Sequence, residues 1–393
     1  MLKTVQFIIG MLLLIALEIF KVYFIMPFPG SQRSETVDLA YFIHGNIFWF
    51  RTIGYLIILF PIIHFFTVGK TPSRVLVSLS LVLYGVVFYF FNFKFLAEKM
   101  FYQPENKIFA VSSQSRVPLD RLVVGVSHNG ESKAYPIEII GYHHQVRDTV
   151  GGKAVMVTYC TVCRTGRVFS PEVDGKVENF RLVGMDHFNA MFEDESTKSW
   201  WRQVSGEAIA GPRKGEVLQE LFSEQMSLRA WLALHPASQI MQPDTVFQKD
   251  YDDLQGFDKG TIKSGLEKRD SLSWKEKSWV VGVQQGMTAR AYDWNDLIRE
   301  RVINDTLNAI PIVIVLEDDS ATFRVFRRDS LEFEMRAQKL VDKQTGSDWS
   351  WAGQSTSGTL AGKTLPLVQS YQEFWHSWKT FHPQTSQFRL EEK

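Results

Sequence analysis

The sequence predicts N-terminal transmembrane helices plus a mainly β (β-rich α+β) extracytoplasmic domain built from two tandem homologous copies. Three observations predict it. Residues 1–96 hold three acids (Glu18, Glu35, Asp38) and seven bases, leaving 40 acids and 36 bases for the rest. Apolar runs long enough to span a bilayer fall in that first quarter. From residue 121 onward, short motifs recur in the same order at nearly constant spacing.

The membrane module comes first. Residues 75–93 are free of charge and rich in Leu, Val, Phe and Tyr, a run that matches the hydrocarbon thickness as a helix. Residues 52–68 form a second run, extended backward by 47–50 with Arg51 able to snorkel, and containing Pro61. A third run, 4–26, is interrupted by Glu18 and Lys21, which share a helix face at a spacing of three. The alternative for this run is a signal peptide with Lys3 as its basic start, although no small-x-small cleavage site follows. Lys70 and Arg74 lie without an acid in the loop between the second and third runs, whereas the loop before the second run mixes Arg33 with Glu35 and Asp38. The basic loop therefore belongs in the cytoplasm, and the large C-terminal part outside the cytoplasmic membrane.

The repeat comes next. Val123–Val126 recurs as Val280–Val283, Ala134-Tyr135 as Ala291-Tyr292, Asp148-Thr149 as Asp305-Thr306, and Arg167-Val168-Phe169 as Arg324-Val325-Phe326, all 157 residues apart. Asp194, Thr197, Ser199 and Trp201 match Asp342, Thr345, Ser347 and Trp349 at 148, and Trp231 with His235-Pro236 matches Trp378 with His382-Pro383 at 147. The expected organisation is a membrane module of two to three helices at 1–96, a first β-rich copy at 97–237, a connector at 238–277 and a second copy at 278–393. Within the first copy, 121–126 and 133–139 read as strands around an Asn129-Gly130 hairpin, 154–159 and its counterpart 310–316 as buried strands, and 167–170 and 177–182 as strands around Asp174-Gly175. Short helices are expected near 227–234 and 369–381, each stopping at His-Pro.

Asp148 to Gly152, then Val157-Thr158-Tyr159-Cys160-Thr161-Val162-Cys163, then Thr197-x-Ser199-x-Trp201 followed by spaced glycines, resemble the bacterial and archaeal domain-of-unknown-function family 3179. The resemblance covers about residues 119–385 and implies an exported or membrane-attached protein; it supplies no reaction. Many members have Pro after the first cysteine and Gly after the second, where this chain has Thr161 and Arg164, and His143-His144 stand where the family often has His-Glu.

Chemistry therefore has to be read from the residues. Cys160 and Cys163 sit in a strand–turn–strand setting rather than at a helix start, and their counterparts in the second copy are Glu317 and Ser320. The thiols belong to one copy only, so the fold does not require them. Three readings stay open: a disulfide suited to an oxidising compartment, a soft-metal site for copper or zinc completed by His143, His144, His187, Met185 or Met191, and a dithiol redox site. A structural or interaction module with an inert disulfide is the non-enzymatic alternative. A remote reading pairs Asp148 with Asp305 as an aspartic-hydrolase dyad, but Val150 and Leu307 replace the glycine such sites need. The recurring tryptophans are expected in the core. A neutral charge balance excludes a nucleic-acid partner and leaves the lipid bilayer as the one predicted partner. No phosphate loop, serine elbow or His-Glu-x-x-His is present.

Overall fold

The structure is a computed structural model that describes residues 2–390; Met1 and residues 391–393, at the outer limits of the first and last expected domains, lie outside the described residues. The chain divides into two compact units. One comprises residues up to Tyr102 together with Glu178–Val217; the other comprises Gln103–Val177 together with the residues from Leu218 onward.

In the first unit, three helices are long and apolar enough to cross a membrane: α1 (Leu2–Tyr23), α2 (Val37–Thr67) and α3 (Thr71–Phe93). Phe7, Met11 and Leu14 of α1 bury against Ile58 of α2 and Val77 and Tyr84 of α3. Gly54 faces Leu14 so closely that a Cβ there would collide with it, the close approach that small residues allow between helices in lipid. Glu18, read from the sequence as a break in the first run, is fully buried. Arg51 donates to both its oxygens at 2.7 Å, Asn92 donates at 2.9 Å, and Lys21 stands 3.7 Å away. The α2 helix starts some ten residues before the run expected from the sequence. At 31 residues it measures about 46 Å, against a hydrocarbon thickness of about 30 Å. Its extra turns lie on protein: Tyr41 and His44 both contact Trp200 edge-on at 5.2 Å. Trp200 belongs to an antiparallel sheet in the order Ala208–Ala210, Trp200–Arg202, Asn189–Asp194, Phe180–Asp186.

The second unit contains one sequence of elements twice. The hairpin Leu122–His128 with Glu131–Pro136 turns at Asn129-Gly130, as expected, with φ values of 46° and 79° that are those of a type I′ turn. The helix Ile137–His143 follows and stops at His144 in the left-handed region. Then come the strands Gln145–Val150, Lys153–Cys160 and Thr165–Phe169 as an antiparallel sheet. The same order runs through the hairpin Trp279–Gln285 with Thr288–Asp293, the helix Trp294–Glu300 stopped by left-handed Arg301, and the strands Val302–Leu307, Ile310–Leu316 and Phe323–Arg327. Each hairpin later gains an antiparallel edge strand, Glu224–Ser227 or Ser370–Phe374, followed by a seven-residue helix and a short parallel strand.

Local contacts repeat as well. Gly125 and Gly282 each lie flat on a tryptophan, Trp231 and Trp378, where a Cβ would overlap the ring. Each indole N–H donates to a hydroxyl, Ser238 at 2.7 Å and Thr385 at 2.8 Å. The tryptophans are core residues, as expected. The residues between the halves are more ordered than a plain connector: they include the strand Gln239–Met241 and the helix Gln248–Asp253.

Candidate functional site

Cys160 ends the strand Lys153–Cys160, and Cys163 lies in the turn that leads to Thr165–Phe169, the setting the sequence indicated. The turn closes when Arg164, at φ 56°, donates its N–H to Thr161 O at 3.2 Å. The helix Ile137–His143 presses on it through Gly141, where a Cβ would come 3.0 Å from the Thr161 methyl. Both cysteines are completely buried, and among the described residues no disulfide joins them. The expected disulfide is therefore not formed in this structure.

The groups that surround the turn come from distant parts of the chain. Phe374 N donates to Cys163 O at 2.9 Å. The Lys277 ammonium donates to Val162 O at 2.7 Å, and His376 Nε2 lies 3.1 Å from both that carbonyl and the Lys277 nitrogen. Burial pushes His376 down to about 3, so its ring is neutral at ordinary pH. Burial also pulls Lys277 below its usual range, opposed first by its electrostatic coupling to Cys163 and Cys160 and then by Glu267 and Glu276. Glu267 accepts from the Thr161 hydroxyl at 3.0 Å. An ammonium held beside two thiols stabilises negative charge on sulfur. Lys277, His376 and Glu267 were not legible as site residues, being 104 or more positions from Cys163 with no motif of their own.

The arginine after the second cysteine is also buried. Arg164 donates to Gln372 Oε1 at 3.0 Å, Phe257 O at 3.0 Å and Asp258 O at 3.1 Å. Arg167, two strand positions on from Thr165, donates to Glu373 at 2.6 Å, and Thr165 reaches the same carboxylate oxygen at 2.9 Å. The thiol turn is thus fastened to the C-terminal half through both backbone and charge.

The histidines separate. His144 keeps close to the turn: its carbonyl accepts from Tyr159 N at 3.0 Å, its Nδ1 lies 2.9 Å from Tyr142 O, and burial lowers its basicity while Glu267 raises it. His143 points elsewhere, its Nε2 2.7 Å from the Tyr251 hydroxyl and its ring packed on Phe247. His187 and Met191 belong to the helical unit, as does Met185. There His187 pairs with Asp186 at 2.7 Å and lies 3.6 Å from Glu35, while Arg202 occupies the other Asp186 oxygen at 2.6 Å. Among the described residues, Glu35, Asp186 and His187 are the one set of three His, Cys or carboxylate ligand atoms within 4.8 Å of one another, and the cysteines form no such set with His143 or His144. Met191 is buried in its strand.

The aspartate pair has a structural role in each half. Asp148 accepts from Tyr135 at 2.8 Å, Lys133 at 3.0 Å and the backbone N–H of Thr149 at 2.7 Å. Asp305 accepts from Tyr292 at 2.7 Å, Arg290 at 2.6 Å and Thr306 N at 2.7 Å. A cation paired to each carboxylate is the opposite of the shared-proton environment a catalytic dyad needs.

No curated protein and no solved structure is significantly similar to the chain. A family model does match, across residues 105–385, which takes in the thiol turn and all but the last short strand of the β-rich part. The chain belongs to the family described as protein of unknown function (DUF3179).

Proposed function

We propose that this is a membrane-anchored protein whose β-rich part faces out of the cytoplasm, is built from two copies of one unit, and binds a soft metal ion, copper(I), between Cys160 and Cys163. The observation that carries the metal reading is the pair of buried thiols with the Lys277 ammonium against their turn. A pair of thiolates suits copper(I), which accepts few soft ligands, better than zinc, which takes four in a tetrahedron. A bis-thiolate copper(I) centre carries one negative charge, and Lys277 is placed to balance it. Complete burial argues against exchange with a protein disulfide, because an attacking thiolate must reach the sulfur. The matched order of elements supports the duplication, and the acid-free Lys70 and Arg74 loop supports the orientation.

The test is copper(I) titration of the full-length protein in detergent, against a competing chelator and without oxygen. One tightly held ion per chain is expected, lost in the Cys160→Ser/Cys163→Ser variant and weakened in Lys277→Met. Undiminished copper in the double variant would refute the metal reading. A second reading, an inert disulfide, is favoured by the oxidising compartment and the spacing of three. Alkylation of the unfolded, unreduced protein as isolated from cells separates the two: modification of both thiols excludes the disulfide.

A further inference from the structure

A cavity of about 410 Å³ in the β-rich unit is lined by Arg164, Asp258, Arg269, Trp279, Trp294 and Ile298 among others. Its volume is in the range of small-molecule sites. The guanidinium carbons of Arg164 and Arg269 lie over the Trp279 ring at 3.7 Å and 4.2 Å from its centre. Neither arginine forms an ion pair among the described residues. Arg164 is 1% exposed and its partners are two backbone carbonyls and an amide, while Arg269 donates to the amide oxygen of Asn295 at 2.8 Å. The lining carries Arg164, Arg229, Lys259 and Arg269 against Asp120, Asp258 and Asp319, with Lys259 paired to Asp120 at 3.0 Å, so cations outnumber carboxylates by one.

Hydrogen bonding in the cavity is equally incomplete. Asp258 Oδ1, Arg269 Nε and Trp279 Nε1 are all shielded from solvent and have no hydrogen-bond partner. Asp258 and Trp279 are 7% and 6% exposed, so water does not readily serve them. The second oxygen of Asp258 is committed to Leu122 N at 2.9 Å. Burial pushes the Asp258 carboxyl above its ordinary range, against the pull of the Leu122 N–H and Arg164. The remaining lining includes Trp294 and Ile298, which are apolar.

We propose that this cavity binds a small organic carboxylate, with its head group on Arg269 and Trp279 and its apolar body against Trp294 and Ile298. A carboxylate has two oxygens with about four lone-pair sites, enough for both donors. The proposal does not depend on the thiols or on copper.

The test uses the full-length protein in detergent, with benzoate, phenylacetate and hexanoate as probes, and benzyl alcohol and inorganic phosphate as controls. Titration calorimetry and tryptophan fluorescence follow the binding. Saturable binding of at least one carboxylate below about 10 mM is expected, with none for benzyl alcohol. Arg269→Gln should weaken that binding at least about tenfold, the loss of one charge-assisted hydrogen bond. Trp279→Phe, which keeps an aromatic face and removes the N–H, should weaken it about threefold to tenfold. Failure of all three carboxylates, equal binding of benzyl alcohol, binding of phosphate alone, or unchanged affinity in folded Arg269→Gln would each overturn the proposal. If Arg269→Gln melts well below the parent, Trp279→Phe decides in its place.

Discussion

The turn after the strand Lys153–Cys160 and the turn after the strand Ile310–Leu316 stand at the same point of two identically ordered sheets, and they are held in different ways. The second fastens itself. Asp319 accepts from Ala321 N at 2.9 Å, Thr322 N at 2.8 Å and the Thr322 hydroxyl at 2.6 Å. Asp318 pairs with Arg301 at 2.9 Å and Glu317 with Arg324 at 3.3 Å. The first turn has no carboxylate of its own and is held by Lys277, His376, Glu267 and the backbone of Phe374. A turn of this shape can therefore close without sulfur. The thiols are an addition to the scaffold, set where groups from the C-terminal half converge.

The largest expected effect concerns the ion pairs that accompany the two turns. Arg167 and Glu373 are 2% and 0% exposed, whereas Glu224, the partner of Arg324, is 15% exposed and shares that arginine with Glu317. Glu373→Gln removes the fully buried partner of Arg167, leaving the more exposed Glu220 at 3.7 Å, and should cost about 3 kcal/mol. Glu224→Gln should cost about 1–2 kcal/mol, since a second carboxylate remains. Urea unfolding followed by tryptophan fluorescence measures both, and the reverse ranking would break the contrast between the two turns.

Next in size are the two glycines beneath tryptophan. Gly125→Ala and Gly282→Ala each force a methyl into an indole and should destabilise by about 1–3 kcal/mol, equally within error. A large difference between them would show that the two hairpins are packed less alike than their contacts suggest.

The smallest effect is a change in pH dependence. Burial raises the Glu317 carboxyl to about 7, against the pull of Arg324. A folded value above the unfolded one means that the folded state holds the proton more tightly. The stabilisation is complete below about 4.5 and disappears as pH climbs through about 7. Glu317→Gln should flatten that fall when melting temperature is followed between those values. The first turn has no equivalent group, so an unchanged slope would remove this distinction between the halves.

Local signals in the sequence carried much of this architecture. Asn129-Gly130 marks its hairpin because both φ values are positive, and the apolar run at 310–316 is a strand as its β-branched residues suggest. One helix and one strand were hidden. Ile137–His143 lies in a stretch that reads as strand, because its Ile-Glu-Ile-Ile start alternates as a strand would. Ser370–Phe374 read as helix but pair with Trp279–Val283, since the partner strand decides the conformation. The thiols were visible as a motif, yet the groups around them come from 104 to 213 residues away, and periodicity carries no information over that range. The early start of α2 was missed for a related reason: its first ten residues are stabilised by Trp200, not by lipid.

The Glu18–Arg51 pair bears on how the chain is made. In a bilayer each of these side chains alone opposes insertion by roughly 2.5–3.5 kcal/mol at mid-depth, and together they present a bidentate pair with little exposed charge. The ribosome delivers α1 first, so the acid must wait for its base. Partition into lipid is then most favourable for α1 and α2 as a joined hairpin, with Asn92 of α3 closing over the carboxylate when the last helix arrives. A nascent chain halted between α1 and α2 should stay extractable by alkaline carbonate, and one extended past Arg51 should not.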